Sequence, residues 1–336
     1  MSALVMNRLY EDIRDNRLIL ARLISEVEND TSTGRDALEI LYPHTGNAHI
    51  IGITGAPGVG KSSLVNQLAL AYRKGSGKEV PPRVGIIAVD PSSPFTGGAI
   101  LGDRVRMRDL SGDPGIFIRS MAARGAIGGL ARTTAQVARL MDAAGFDVIL
   151  VETVGAGQAE VEIARLAHTT IVVDAPGLGD DIQAIKAGIL EIADILVVNK
   201  ADLPGVESTE RALQAMLQLS NHSSRFSATG SNGSASAWDV PVLRAISNKG
   251  EGAFEVMENA IAHLKYLRTS NEWEKRQHLR IRDEVENLVM QTLQQRWMKN
   301  LPPSALEESV EALYARMTTP YQTVKDLLEL SGFNFD

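Results

Sequence analysis

The segment from Ile50 to Ser62 constrains this chain more than any other. A β-like apolar run, Ile50-Ile51-Gly52-Ile53-Thr54, leads into Gly55-Ala56-Pro57-Gly58-Val59-Gly60-Lys61-Ser62. The spacing of Gly55, Gly60, Lys61 and Ser62 is G-x-x-x-x-G-K-[ST], the spacing of a phosphate-binding loop between a strand and a helix. The glycines let the backbone turn its N–H groups toward phosphate oxygens. At that spacing Lys61 reaches the β- and γ-phosphates and the Ser62 hydroxyl ligates Mg²⁺. Ser63 and Leu64 then begin a helix whose N-terminal dipole favours the anion. The bland reading is an accidental glycine-rich turn, but the strand before it and the helix after it are the context that argues against one.

The pattern around this loop points to an α/β fold. Short β-branched runs at 49–54, 84–89, 116–118, 148–151, 170–174, 195–198 and 242–246 alternate with helical segments. That alternation predicts a P-loop NTPase fold, with a mainly parallel sheet covered by helices on both faces. Residues 1–45 read as an N-terminal helical extension. Within it Leu4, Leu9, Ile13, Leu20, Leu23, Ile24 and Val27 fall at helical spacing over 4–27, and a short helix follows near 34–41. Residues 46–270 form the nucleotide-binding domain. From 271 to 336 the strand signal vanishes. Glu272 to Lys299 reads as one long helix with a stripe of Ile281, Val285, Leu288, Val289, Thr292 and Leu293; Pro302-Pro303 stops it, and helices near 304–317 and 320–331 follow. An arm with so little core of its own needs cover, and a second copy of the chain would supply it. Ser223 to Ser236 is rich in Ser, Gly and Asn and reads as a loop before the last strand.

Composition removes several function classes. The formal charge of −7 gives no basic surface for nucleic acid or an anionic membrane. The absence of cysteine excludes disulfides, thiolate catalysis and cysteine-based metal sites. The first residues show no secretory signal, and no apolar run approaches the roughly 20 residues of a membrane helix. A cytoplasmic protein is expected. The six histidines, at 44, 49, 168, 222, 263 and 278, are scattered, and His44 and His49 read as surface residues flanking a turn.

A second motif selects the base. Asn199-Lys200-Ala201-Asp202 follows the apolar run Ile195-Leu196-Val197-Val198. A carboxylate at Asp202 accepts from both N1–H and the exocyclic amine of guanine, whereas adenine would leave it unpaired. Asn199 and Lys200 are expected to brace and cover the base. Ser247, Asn248 and Lys249 lie in the loop after the last strand, where backbone contacts to the base are expected; a helix-capping turn is the plainer reading. GTP, with GDP as product, is therefore the expected nucleotide.

Other acidic groups sit at strand ends. Asp90 ends the 84–89 run and Glu152 ends 148–151, so either, or a water between them, could serve Mg²⁺ together with Ser62. Glu152 opens Glu152-Thr153-Val154-Gly155-Ala156-Gly157-Gln158, a loop suited to sensing the γ-phosphate. Gln158 could orient water or act as a cap. Asp103, in Gly102-Asp103-Arg104-Val105-Arg106-Met107, could position water or Mg²⁺, or cap a helix.

These segments, with Ala88-Val89-Asp90-Pro91-Ser92-Ser93-Pro94-Phe95-Thr96-Gly97-Gly98 and Asp174-Ala175-Pro176-Gly177-Leu178-Gly179-Asp180-Asp181-Ile182-Gln183-Ala184-Ile185-Lys186, resemble the GTPases associated with methylmalonyl-CoA mutase. That is a cobalamin-linked group within the metallochaperone-like GTPases, also labelled LAO/AO transport system kinases, and the likeness covers nearly the whole chain. Glu152, where Ras-like proteins carry Asp, is a mark of the group. The resemblance implies a GTP-hydrolysing chaperone that gates cobalamin loading and protects or reactivates a B12-dependent acyl-CoA mutase. It further implies a homodimer through the C-terminal arm, and a third switch at 174–186 with Asp180, Gln183 and Lys186 as its functional positions. The alternatives are a metal-insertion GTPase, a nucleotide-dependent scaffold and a small-molecule kinase, which would prefer ATP. Nothing suggests nucleic acid or a membrane as partner.

Overall fold

A computed structural model describes residues 3–75, 79–91, 110, 112–123, 129–153, 164–177, 191–227 and 238–332. The chain divides into two compact units, Met1–Glu274 and Lys275–Asp336.

In the first unit three helices, α1 (Ala3–Asp15), α2 (Arg17–Glu28) and α3 (Ser32–Leu41), precede the sheet. The run expected as one helical piece over 4–27 is two helices. Asn16 divides them, because its extended backbone and its side-chain oxygen, accepting from the N–H groups of Leu18 and Ile19, restart the helix as an N-cap. The sheet strands are β1 (His49–Thr54), β2 (Val84–Pro91), β3 (Ile116–Ala123), β4 (Val148–Glu152), β5 (Thr169–Asp174), β6 (Ile195–Val198) and β7 (Val242–Arg244). They pair in the order β3-β2-β4-β1-β5-β6-β7, every pair parallel. The helices between the strands among the described residues are α4 (Lys61–Gly75), α5 (Gly129–Ala143), α6 (Val206–Ser227) and, after β7, α7 (Ala253–Thr269). Helix α6 runs through Ser227, so the first part of the stretch expected as a loop is helical, and the rest lies outside the described residues.

Strand parity shows why the sheet is buried on both faces. Ile86, Val148, Leu150, Ile171, Val173, Ile195 and Val197 join α4 and α7 residues such as Leu64, Leu68, Val256 and Ala260 in one core. Their neighbours Ile87, Ile149 and Val151 point the other way, into a core with α1, α2, α3 and α5. Val172, Leu196 and Val198 pack beside α6. Successive side chains on a strand alternate faces, so apolar residues at both parities need cover on both sides. Ile13, Leu20, Ile24 and Val27 of the N-terminal helices belong to the second of these cores.

Two polar ties, one buried and one partly buried, set the entries to β1 and β2. The Asp142 carboxylate accepts from the N–H groups of Gly46, Asn47 and Ala48 just before β1. Burial pushes this carboxyl above the usual range, against the pull of those three donors. Arg73 donates to the carbonyls of Pro81 and Pro82 and, through Nε and Nη2, to Asp113, fixing the chain ahead of β2 and β3.

The second unit carries most of α8 (Glu272–Asn300), followed by α9 (Ala305–Tyr314) and α10 (Pro320–Leu330). Thr319 caps α10, and the Trp297 indole N–H donates to the Leu327 carbonyl. Ala305, Thr323 and Leu327 are buried, while Ile281, Val285, Leu288, Val289 and Leu293 on α8 are each 39–53% exposed. No helix among the described residues is long and apolar enough to cross a membrane.

Candidate functional site

The strand order puts β2 and β4 on one side of β1 and β5 and β6 on the other. Ligands gather at the carboxyl ends of parallel strands where connections diverge in this way. The motif residues collect there: Thr54 and Gly55 after β1, Glu152 at the end of β4, Asp174 at the end of β5, and Asn199 after β6.

The loop after β1 is held open by two glycines. Gly55 has φ +139°, and a Cβ on it would lie 2.0 Å from the Val173 carbonyl oxygen. Gly60 has φ +96°, and a Cβ there would meet the Asn199 amide nitrogen at 2.4 Å. Neither position can take a side chain without moving backbone or the Asn199 amide. Helix α4 starts at Lys61, two residues earlier than expected, and the Gly60 carbonyl accepts from Leu64 N–H. The N–H groups of its first turn have no carbonyl one turn back and remain able to receive an anion.

Lys61 is buried, and its ammonium donates to the carbonyls of Gly55 (2.8 Å) and Ala56 (3.0 Å). Pro57 and Gly58 form the tip of the loop, and Val59 turns back into the core. The Ser62 hydroxyl donates to Glu152 Oε1 at 2.6 Å, and Glu152 is itself buried. Ser62 and Glu152 thus come together as hard oxygen donors, a set suited to a magnesium ion that keeps several waters and phosphate oxygens. Asp90 lies on β2 two residues beyond the register partner of Glu152, at the same end of the sheet. Below them Thr153 Oγ1 donates to Thr54 Oγ1 at 3.2 Å, tying the exit of β4 to β1.

The base-side motif does more than its sequence showed. Asn199 is buried, and its amide nitrogen donates to the Val59 carbonyl at 2.8 Å. Its amide oxygen accepts from the backbone N–H (3.1 Å) and hydroxyl (2.8 Å) of Ser247. Asn199 therefore braces the phosphate loop against the loop after β7, a role its contiguous motif did not reveal because the partners are 140 and 48 residues away. Lys200, in the left-handed region at φ +54°, donates to the Gly58 carbonyl at 2.8 Å. Asp202 is half-exposed, with Lys249 Nζ 3.8 Å from its carboxylate. Gly60, Ser63, Asn199, Lys200, Asp202, Leu203, Ser247 and Asn248 line an open pocket of about 200 Å³. It presents one carboxylate and the backbone of the Ser247–Lys249 turn to whatever enters.

Asn199→Asp keeps the shape but puts a carboxylate oxygen against the Val59 carbonyl. Loss of that buried donor is expected to cost about 1–3 kcal/mol, read as a lower midpoint in urea unfolding at unchanged slope.

Asp103, Gln158, Asp180, Gln183 and Lys186 lie outside the described residues. The histidines differ from expectation. His49 is buried rather than on the surface, and with His168 and His263 it converges at the amino-terminal ends of β1 and β5, opposite the nucleotide end. His44 stacks on Tyr10. No group of three or more His, Asp or Glu arranged to hold a metal ion occurs among the described residues.

Comparison with known proteins places this geometry. The profile of the family described as methylmalonyl Co-A mutase-associated GTPase MeaB matches residues 20–301. A Pyrococcus horikoshii protein, provisionally named a GTPase, is 43% identical over 317 residues, covering 94% of this chain and 95% of the relative. A Caenorhabditis elegans protein named methylmalonic aciduria type A homolog, mitochondrial, is 36% identical over 187 residues, covering 56% of this chain and 44% of its own. The crystal structure of an LAO/AO transport system kinase superposes with a TM-score of 0.68 at 22% identity and 98% coverage of both chains, and so shares the fold. A guanine-binding P-loop enzyme that hydrolyses GTP fits both the pocket and these relatives: the chain belongs to the methylmalonyl Co-A mutase-associated GTPase MeaB family.

Proposed function

We propose that this GTPase is a chaperone for a B12-dependent acyl-CoA mutase, using GTP hydrolysis to time cobalamin loading and to protect or reactivate the enzyme. The observation that carries the reading is the family match over 20–301, because that family is described by its association with methylmalonyl-CoA mutase. In this reading the N–H groups of residues 55–63 receive the phosphates, and Lys61 turns from the Gly55 and Ala56 carbonyls to the β- and γ-phosphates. Asp202 reads guanine, and the Ser247–Lys249 turn closes over it. Ser62, Glu152 and Asp90 would hold Mg²⁺, which when bound offsets charge on the phosphates. The 2.6 Å contact of Ser62 with Glu152 supports that donor set. Gln158 and Asp103 would orient the attacking water, and Asp180, Gln183 and Lys186 would pass the nucleotide state to the mutase.

The reading also divides the chain into 1–45, 46–270 and 271–336, with the last part forming a homodimer. The exposed stripe on α8 supports this, since half-exposed Ile, Val and Leu at helical spacing gain by mutual cover. The double variant Val285→Glu, Leu288→Glu is expected to be a monomer by light scattering at concentrations where the parent is a dimer. A persisting dimer would place the interface elsewhere.

The function itself is tested by affinity capture on the full chain loaded with GDP or a non-hydrolysable GTP analogue, followed by turnover assays. Binding of an acyl-CoA mutase that depends on the nucleotide, with faster GTP hydrolysis in the complex, is the expected result. If a B12-dependent mutase neither binds nor changes the rate, the partner assignment fails while the GTPase stands.

A further inference from the structure

At the end of the sheet opposite the nucleotide, four buried groups form a line. His49 Nε2 lies 2.7 Å from Thr169 Oγ1, Thr169 Oγ1 lies 2.8 Å from His263 Nδ1, and His263 Nε2 lies 3.2 Å from Asp194 Oδ1. Thr169 and His263 are 0% exposed and His49 is 3% exposed. They come from β5, α7 and β1, and Asp194 immediately precedes β6. Asp194 is held by Thr170 N–H on Oδ2 and by the Trp238 indole N–H on its backbone carbonyl. Among the described residues, titratable groups beside the line include Tyr266 of α7, 6.1 Å from His263 ring to ring, and His168, 6.3 Å from His49. His168 stacks on Trp273 at the start of α8, and Arg268 lies over the same indole.

The hydrogen bonds in this line have a direction, because the Thr169 hydroxyl owns a single proton. The His263–Asp194 contact is close, although Nε2 makes no hydrogen bond there. Even so, a bare Nε2 there would set its lone pair against a carboxylate oxygen, so Nε2 carries the proton. A neutral His263 then offers a bare Nδ1, and Thr169 must donate to it. Thr169 in turn accepts from His49, whose ring proton is on Nε2.

Adding one proton to His263 reverses the line. Nδ1–H now donates to Thr169. The hydroxyl could accept from both imidazoles, but its own buried proton would then lack an acceptor, so it swings to His49 Nε2. That nitrogen must then be bare, so the His49 ring proton moves to Nδ1. Net uptake is one proton, and His49 stays neutral in both states. The charged His263 gains Coulomb attraction to the Asp194 carboxylate 3.2 Å away, in a buried position where such attraction is stronger than in water.

We propose that His49, Thr169, His263 and Asp194 are a two-state proton relay that makes the anchorage of α7 on the sheet respond to pH. Helix α7 is placed to use it. Its N-terminus issues from the Ser247–Gly252 turn beside the nucleotide pocket, and the residues after its C-terminus lead into α8. Histidine is the side chain whose ordinary titration spans the pH of cells, which suits it to such a device.

The test is long-range ¹H–¹⁵N correlation of the histidine rings in the full chain, titrated across the range in which it stays folded. The expected result is that His49 changes from the Nε2–H to the Nδ1–H tautomer with the same midpoint at which His263 becomes an imidazolium. In Thr169→Val the two events should come apart, with the His49 tautomer no longer following His263. The relay is overturned if His49 keeps its tautomer while His263 charges, if the linkage survives in Thr169→Val, or if His263 stays neutral throughout.

Discussion

Lys61→Ala is expected to lower GTP turnover by about 10²- to 10³-fold, the typical loss when one preorganised donor to a developing charge is removed. The ammonium is buried at the mouth of the loop, within hydrogen-bonding distance of the Gly55 and Ala56 carbonyls. A low-dielectric position of this kind makes a cation on the transferring phosphoryl group worth far more than it would be in water. Alanine also strips two carbonyls of their donor, at about 1–3 kcal/mol for each one left buried and unpaired. Thermal unfolding must therefore be measured beside single-turnover hydrolysis. A folded variant that has lost turnover supports the phosphate-loop role; one that retains parental turnover removes Lys61 from the chemistry.

Asp202→Asn is expected to weaken GTP binding by about 10- to 100-fold and to raise affinity for xanthosine triphosphate by a similar factor. In the proposed base-reading role the carboxylate would accept two donors from guanine, and a bidentate pair of this kind is worth about 1–3 kcal/mol of discrimination. An amide offers one donor in place of an acceptor, which suits the O2 of xanthine instead. The fold should tolerate the change. The contact of Asp202 with Lys249 spans 3.8 Å between side chains 36% and 54% exposed, and exposed pairs contribute little. Competition against a fluorescent guanine nucleotide gives both affinities. Unchanged GTP affinity would remove Asp202 from base reading.

Much of the first unit was legible because its signals are local. Buried parallel strands are short apolar runs, and all seven fall within a few residues of where those runs lie. Glycines at 55 and 60 are required by the turn itself, so there motif and geometry coincide. The break at Asn16 was not legible, since apolar spacing continues through it and one capping side chain decides the matter. The Asn199 brace and the line from His49 to Asp194 were invisible for a different reason. Each joins residues tens to more than a hundred positions apart, and the histidines look scattered until β1 and β5 lie side by side.

The sequence by itself determined the strands, most of the helices and the GTPase family, because periodicity, turn conformation and short motifs are properties of neighbouring residues. Only the tertiary structure decided how Asn199 spans two loops, that Ser62 meets Glu152, and that three histidines share one buried corner. Those contacts depend on the strand order β3-β2-β4-β1-β5-β6-β7. Strand order is set by how helices cover both faces of the sheet at once, which no local pattern records.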